Sequence, residues 1–245
     1  MQTRWTWLGL VAWGVTAWAS DSGTAAHWVE QARAKGARSY SCDVTGSVLM
    51  SQGGQFMNTH IKGNLVYKDI SHGRFKSTMT LKMGEQEFSM KFMAVYDGVC
   101  SWEEMQLPNG EAPMVGKTKI EGDKEWDQSG MDLANWLLIL DQIEKADDLK
   151  WVAEDDTTVT LNCLLSAEEM EKLGMELAPN TAKDNLWFEV VLGKTLLFPK
   201  SLQVGDRFNP AVSFSFSEVQ IIETSELPDE AFSYTPPENV TVQEN

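Results

Sequence analysis

A chain of 245 residues with a formal net charge of −16 repels phosphate backbones and anionic surfaces, so its composition argues against nucleic acid as a partner. The sequence shows no cluster of Lys and Arg to offset that acidity, and 42% hydrophobic residues suffice for one sizeable core. Three cysteines, Cys42, Cys100 and Cys163, match no metal-ligand spacing; one disulfide in any of three pairings, or three buried thiols, fits them equally.

Residues 1–19 read as an export signal. Arg4 gives a positive start, Trp5 to Trp18 is a short apolar run, and Ala17-Trp18-Ala19 has the small-x-small form of a cleavage site. Cleavage after Ala19 leaves residues 20–245 as a single domain. Ser22 or Thr24 caps a first helix that runs to about Lys35 and stops at Gly36, with Ala25, Trp28, Val29 and Ala32 as its apolar stripe. From Tyr40 the period changes to two. YSCDVTGSVLM, QFMNTHIKGNLVYK, GRFKSTMTLKM, EQEFSMKFMAVYD and VCSWEEMQ read as consecutive strands, with a sixth at Ala112–Ile120. Turn signals at Gln52-Gly53-Gly54, His72-Gly73, Gly84 and Asp97-Gly98 make them an antiparallel meander.

An acidic connection, Glu121 to Asp132, leads to LANWLLILDQI, Leu133–Ile143. At 100° per residue its apolar side chains leave no wide polar face. Each large one costs about 1.5–3 kcal/mol if left in water. The run is also too short to span a bilayer, which takes roughly 20 apolar residues. It must therefore be covered on more than one side. A hairpin of LKWVAED and TTVTLNCLL follows, then a short helix opened by the capping box Ser166-Ala167-Glu168-Glu169 and stopping near Gly174. The strands NLWFEVVLG, FPKSLQVGD and AVSFSFSEVQIIE complete a β-rich α+β chain.

The strands are one-sided. Phe75, Met79, Leu81 and Met83 alternate on the third, Phe88, Met90, Phe92, Ala94 and Tyr96 on the fourth, and Val212, Phe214 and Phe216 on the last. Opposite positions are mostly Ser, Thr, Lys, Asn and Glu, so one face is apolar and the other meets water. Such a face serves equally as an ordinary core or as a ligand surface, and its methionines adapt to irregular partners. A curved sheet with the Leu133–Ile143 helix in its concave side satisfies both clues.

The C-terminal FSYTPPENVTV, Phe232 to Val242, resembles the end of the periplasmic lipoprotein carrier (LolA/LolB-like) family. So do, in the same order, Gly63-Asn64-Leu65-Val66-Tyr67-Lys68, the turn Asp97-Gly98 with Trp102, the helix at Leu138–Ile143, and Asp148-Leu149-Lys150-Trp151. The resemblance implies an incomplete antiparallel β-barrel, a half-barrel whose apolar concave face takes acyl chains beneath a helical lid, in the periplasm. Together with the one-sided strands and the apolar helix, it makes Met79, Leu81, Phe88, Met90, Phe92, Trp102, Phe214 and Phe216 the candidate wall residues, and Trp136, Leu137 and Leu140 the candidate lid residues. Its partners would be a lipid or an acylated lipoprotein, together with membrane-bound donor or acceptor proteins; no cofactor is implied. The chain departs from the family pattern after Lys68, where Asp69-Ile70 replaces Arg-Pro and Arg74 is the candidate substitute for the lid-holding Arg. It also carries an extra segment, Leu164 to Asp184. An envelope regulator or scaffold that grips another protein is the alternative on the same fold, with that segment as its contact.

Catalytic signatures are absent from the sequence. His27, His60 and His72 have no ligand spacing, no G-x-S-x-G occurs, and no G-K-[ST] follows Gly53-Gly54. Adjacent carboxylates such as Asp155-Asp156 and Glu103-Glu104 point apart on strands and turns. The expectation is a binding protein without enzymatic activity.

Overall fold

The structure, a computed structural model, describes residues 22–36, 38–52, 55–69, 71–83, 86–120, 143, 148–166, 186–205, 210–238 and 240–244. Helix α1 spans Ser22–Gly36. Eleven strands follow in chain order: β1 Ser39–Gln52, β2 Gln55–Asp69, β3 His72–Met83, β4 Gln86–Asp97, β5 Cys100–Gln106, β6 Met114–Lys119, β7 Lys150–Glu154, β8 Thr158–Leu165, β9 Leu186–Gly193, β10 Phe198–Gly205 and β11 Pro210–Ile222. Two 3-10 turns, Thr224–Glu226 and Asp229–Phe232, precede a last strand, β12, Val242–Glu244.

All twelve strands form one open, curved sheet in the order β12-β6-β5-β4-β3-β2-β1-β11-β10-β9-β8-β7. Two antiparallel meanders, β1–β6 and β7–β11, are joined where β1 pairs with β11. The sheet is not purely antiparallel as expected. β12 adds to β6 in parallel, because the chain returns along the polar face and reaches that edge running in the same direction.

Short polar turns set the register. Asp69 Oδ1 accepts from the Ser71 and His72 amides at 2.8 and 2.9 Å, and Asp97 Oδ1 from those of Val99 and Cys100 at 2.9 and 2.7 Å. Gly98 has φ +88°, and a Cβ there would lie 2.7 Å from His72 Nε2, so the turn requires glycine twice over. In the β7–β8 turn Asp155 does the same work, accepting from Thr157 and Thr158, and these hydrogen bonds hold its carboxyl below the usual range. The Asp155-Asp156 pair is thus a turn, not an acid/base site. Glu218, at φ +50°, sits at the bulge where the β1–β11 register slips between Ser41 and Asp43, a device that bends a strand.

Because paired residues in an antiparallel ladder share a face, the register sorts the side chains. Tyr40, Cys42 and Val44 on β1 fall on one face with Leu65, Phe216, Leu202, Val190 and Leu161. All are buried in one cluster with Ala25, Val29 and Ala32 of α1, which packs beside β7. Small residues at helical spacing bring α1 close to the sheet, and Arg33 and Lys35 in its last turn complement the helix dipole. The three cysteines are buried free thiols, and burial pushes Cys42 up to about 12, leaving it unreactive.

One close approach fixes a residue. A Cβ on Gly46 would lie 2.3 Å from Cδ1 of Phe214, whose ring covers that backbone. Gly46→Ala is expected to cost about 1–3 kcal/mol in urea unfolding through overpacking. Ser215→Ala, on the exposed side of β11, should change stability little.

Candidate functional site

Cover over the apolar face is uneven. Across β8–β10 it is sealed, with Val159, Leu161, Phe188, Leu192 and Val204 at zero exposure. Across β3–β5 it opens. Met79, Leu81, Met90, Phe92 and Met105 are half-buried, and Phe88 is 42% exposed. These residues stand in cross-strand rows: Ile61–Met79–Met90, Leu81–Phe88 beside Thr59, and Phe92–Met105 beside Ser77. A half-covered field of methionine and phenylalanine can accept hydrocarbon without first unpacking a sealed core.

Besides Thr59, two polar groups interrupt the field. Ser77 is 8% exposed and its Oγ has no hydrogen-bond partner among the described residues. Glu103, opposite Ala94 and Gly116, is on the same face, and burial pushes its carboxyl pKa up. Gly116 leaves the space above Glu103 open, since a Cβ there would meet only the Glu103 Cβ at 4.0 Å. A headgroup with hydrogen-bonding atoms could be met at these two points while its chain lies on Phe92 and Met90.

Of the residues singled out by sequence, Met79, Leu81, Phe88, Met90 and Phe92 are brought together here. Phe214 and Phe216 share the face but lie inside the sealed part; Phe216 meets Phe198 edge to face at 6.0 Å. Trp136, Leu137 and Leu140 lie outside the described residues. Ile143 alone of that helix is described, and it is buried in the main cluster. Ile61 and Met105 join Phe75 on the face; the two-residue period of β2 was the signal for Ile61, whereas Met105 is placed by its pairing with Phe92.

Trp102 is a correction. It pairs with Val95 and Lys117, on the opposite face from Phe92. Its Nε1 donates to Asp97 Oδ2 at 2.8 Å, Lys117 sits over its ring, and Tyr234 packs against it at 5.3 Å. Burial would raise the Asp97 carboxyl, but hydrogen bonds from the Cys100 amide, Trp102 and the Val99 amide outweigh it and hold it below its ordinary value. The Asp-Gly-x-x-x-Trp pattern is therefore a structural clip. Arg74 is a second correction: it lies on the polar face and donates to the Ala231 carbonyl at 3.2 Å, so it holds the C-terminal segment rather than a lid on the apolar side.

No family model matches the chain, and no curated protein matches it. Among solved structures, it is similar to LprF from Mycobacterium bovis, with 11% identity and a TM-score of 0.50, over 84% of this chain and 99% of that one. The likeness shows a shared fold. At this identity the likeness concerns backbone architecture, and what the apolar face does rests on its own residues.

Proposed function

We propose that this protein binds the acyl chains of a lipid or a lipid-modified protein and carries them within the cell envelope, without enzymatic activity. The half-covered Met/Phe field across β3–β5 is the observation that carries this reading. Burial of hydrocarbon is favourable by about 0.8 kcal/mol per CH₂, so one long chain supplies roughly 10 kcal/mol gross. Residues 133–143, whose sequence leaves no wide polar face, act in this reading as the lid. Displacing their side chains from the same wall offsets much of that gain and keeps binding reversible, as a carrier requires. Residues 1–19 direct export to the periplasm and are removed after Ala19. Support for the reading comes from the unevenly covered apolar face, the ordered motifs that resemble the lipoprotein carrier family, and the likeness of fold to LprF.

The test is to purify the processed protein from its own host, extract it with organic solvent and identify co-purified lipids by mass spectrometry. Uptake of a fluorescent fatty-acid probe is measured in parallel. A stoichiometric acylated compound, or saturable probe uptake, is expected. An empty extract together with no uptake overturns the proposal.

A further inference from the structure

The polar face holds an arrangement that the sequence hides. Lys62, Lys76 and Lys91 come from three neighbouring strands. Register places Lys62, Thr78 and Lys91 in one cross-strand row, with Lys76 in the next row on the middle strand. With strands about 4.8 Å apart, the three ammonium groups share one small area. They rim a groove of about 350 Å³ completed by Ser77, Thr78, Phe92, Met93, Glu104 and Gln106. Lys68, Lys117, Lys150 and Lys194 each have a carboxylate at ion-pair distance; among the described residues the three groove lysines, like Lys35, Lys82, Lys119 and Lys200, have none. Glu104, which lines the groove opposite Met93, accepts the hydroxyl of Tyr234, and Asp43, two strands from Lys76, accepts from Asn64.

Three lysines against one carboxylate, Glu104, leave this groove locally positive in a chain of net charge −16, a field that an anion complements. Exposed charges farther away than about 8–10 Å are largely screened, so the acidity of the rest does not cancel the local field. We propose that this groove is a binding site for a phosphate-class oxyanion, held by Lys62, Lys76 and Lys91 with the Thr78 hydroxyl as a further donor. Multivalent oxyanions suit three flexible ammonium groups acting as point charges. The volume, at the lower end of the range for small-molecule sites, takes a phosphate with a compact ester substituent such as glycerol. That chemistry is shared by soluble phosphate esters and phospholipid headgroups. The lysine side chains stand on the face opposite those of Met90 and Phe92, so their role is separable from hydrocarbon binding.

The test measures glycerol phosphate binding to the full chain by calorimetry at low ionic strength, and co-sedimentation with phosphatidylglycerol/phosphatidylcholine vesicles. All three lysines are exposed, so K62Q/K76Q/K91Q should fold normally. K35Q/K119Q/K200Q, also at exposed positions, matches its net charge as a control. Affinity is expected to fall about tenfold or more in the groove variant and to persist in the control. Binding of the soluble ester alone assigns the phosphate to a free compound, and vesicle binding assigns it to headgroups; either supports the site. Absence of both, or equal losses in the two triple variants, overturns it. Probe uptake unchanged in the groove variant separates this result from the fate of the acyl-chain reading.

Discussion

Met90→Asp is expected to lower fatty-acid probe affinity by at least about tenfold while leaving the unfolding midpoint near that of the parent. Met90 lies in the row Ile61–Met79–Met90 and is half-buried, so in the unliganded protein a carboxylate there keeps much of its water. Hydrocarbon laid across the row would strip that water, and an uncompensated carboxylate in an apolar setting costs several kcal/mol, well above the ~1.4 kcal/mol that separates tenfold affinities. The penalty therefore falls on the complex and not on the fold. Ser89→Asp, one residue earlier and on the polar side of β4, carries the same added charge without meeting the ligand and should bind as the parent does. A Met90→Asp protein with parental uptake would move the ligand off this face.

Much of the sheet is legible in the sequence because its strands are long and alternate strictly. β3 and β4 pair from end to end with no slip, so Met79–Met90 and Leu81–Phe88 follow from periodicity plus a tight turn. The helix α1 is legible for the same reason, its stripe ending at Gly36. Three features are not local, and each defeats a linear reading. β12 has only three residues, Val242–Glu244, without alternation, and is a strand only because β6 offers an open edge. The facing of Trp102 is ambiguous within CSWEEMQ, where Cys100, Trp102 and Met105 mix parities; the Asp97 carboxylate that receives its indole N–H decides it. The lysine groove is invisible because its members are far apart in sequence and adjacent only across strands. Alternation assigns residues to a face, but the lateral order of strands decides which of them meet.

Phe232→Ala should produce the largest loss of stability outside the main core, about 3–5 kcal/mol by denaturant unfolding. Phe232 is 1% exposed and packs edge to face against His72 at 5.9 Å, on the polar side of the sheet and apart from the main cluster. The contacts around it are weak one by one. Lys68 pairs with Asp229 at the surface, Arg74 donates to Ala231, and Tyr234 donates to Glu104 at 2.6 Å while packing on Trp102. An ion pair with one partner well exposed, as Asp229 is, contributes about 1 kcal/mol or less, and each hydrogen bond a similar amount. Without the buried ring they have little to hold the segment against its chain entropy. The loss should therefore be cooperative: the alanine variant is expected to expose the C-terminal segment to limited proteolysis before the sheet unfolds, whereas Tyr234→Phe, which removes one hydrogen bond, should cost about 1 kcal/mol and leave the segment protected. Its folded fraction should still take up the fatty-acid probe, since the segment covers the opposite face from Met90. A change under about 1 kcal/mol on Phe232→Ala would show that the polar contacts, not the ring, fasten the segment to the sheet.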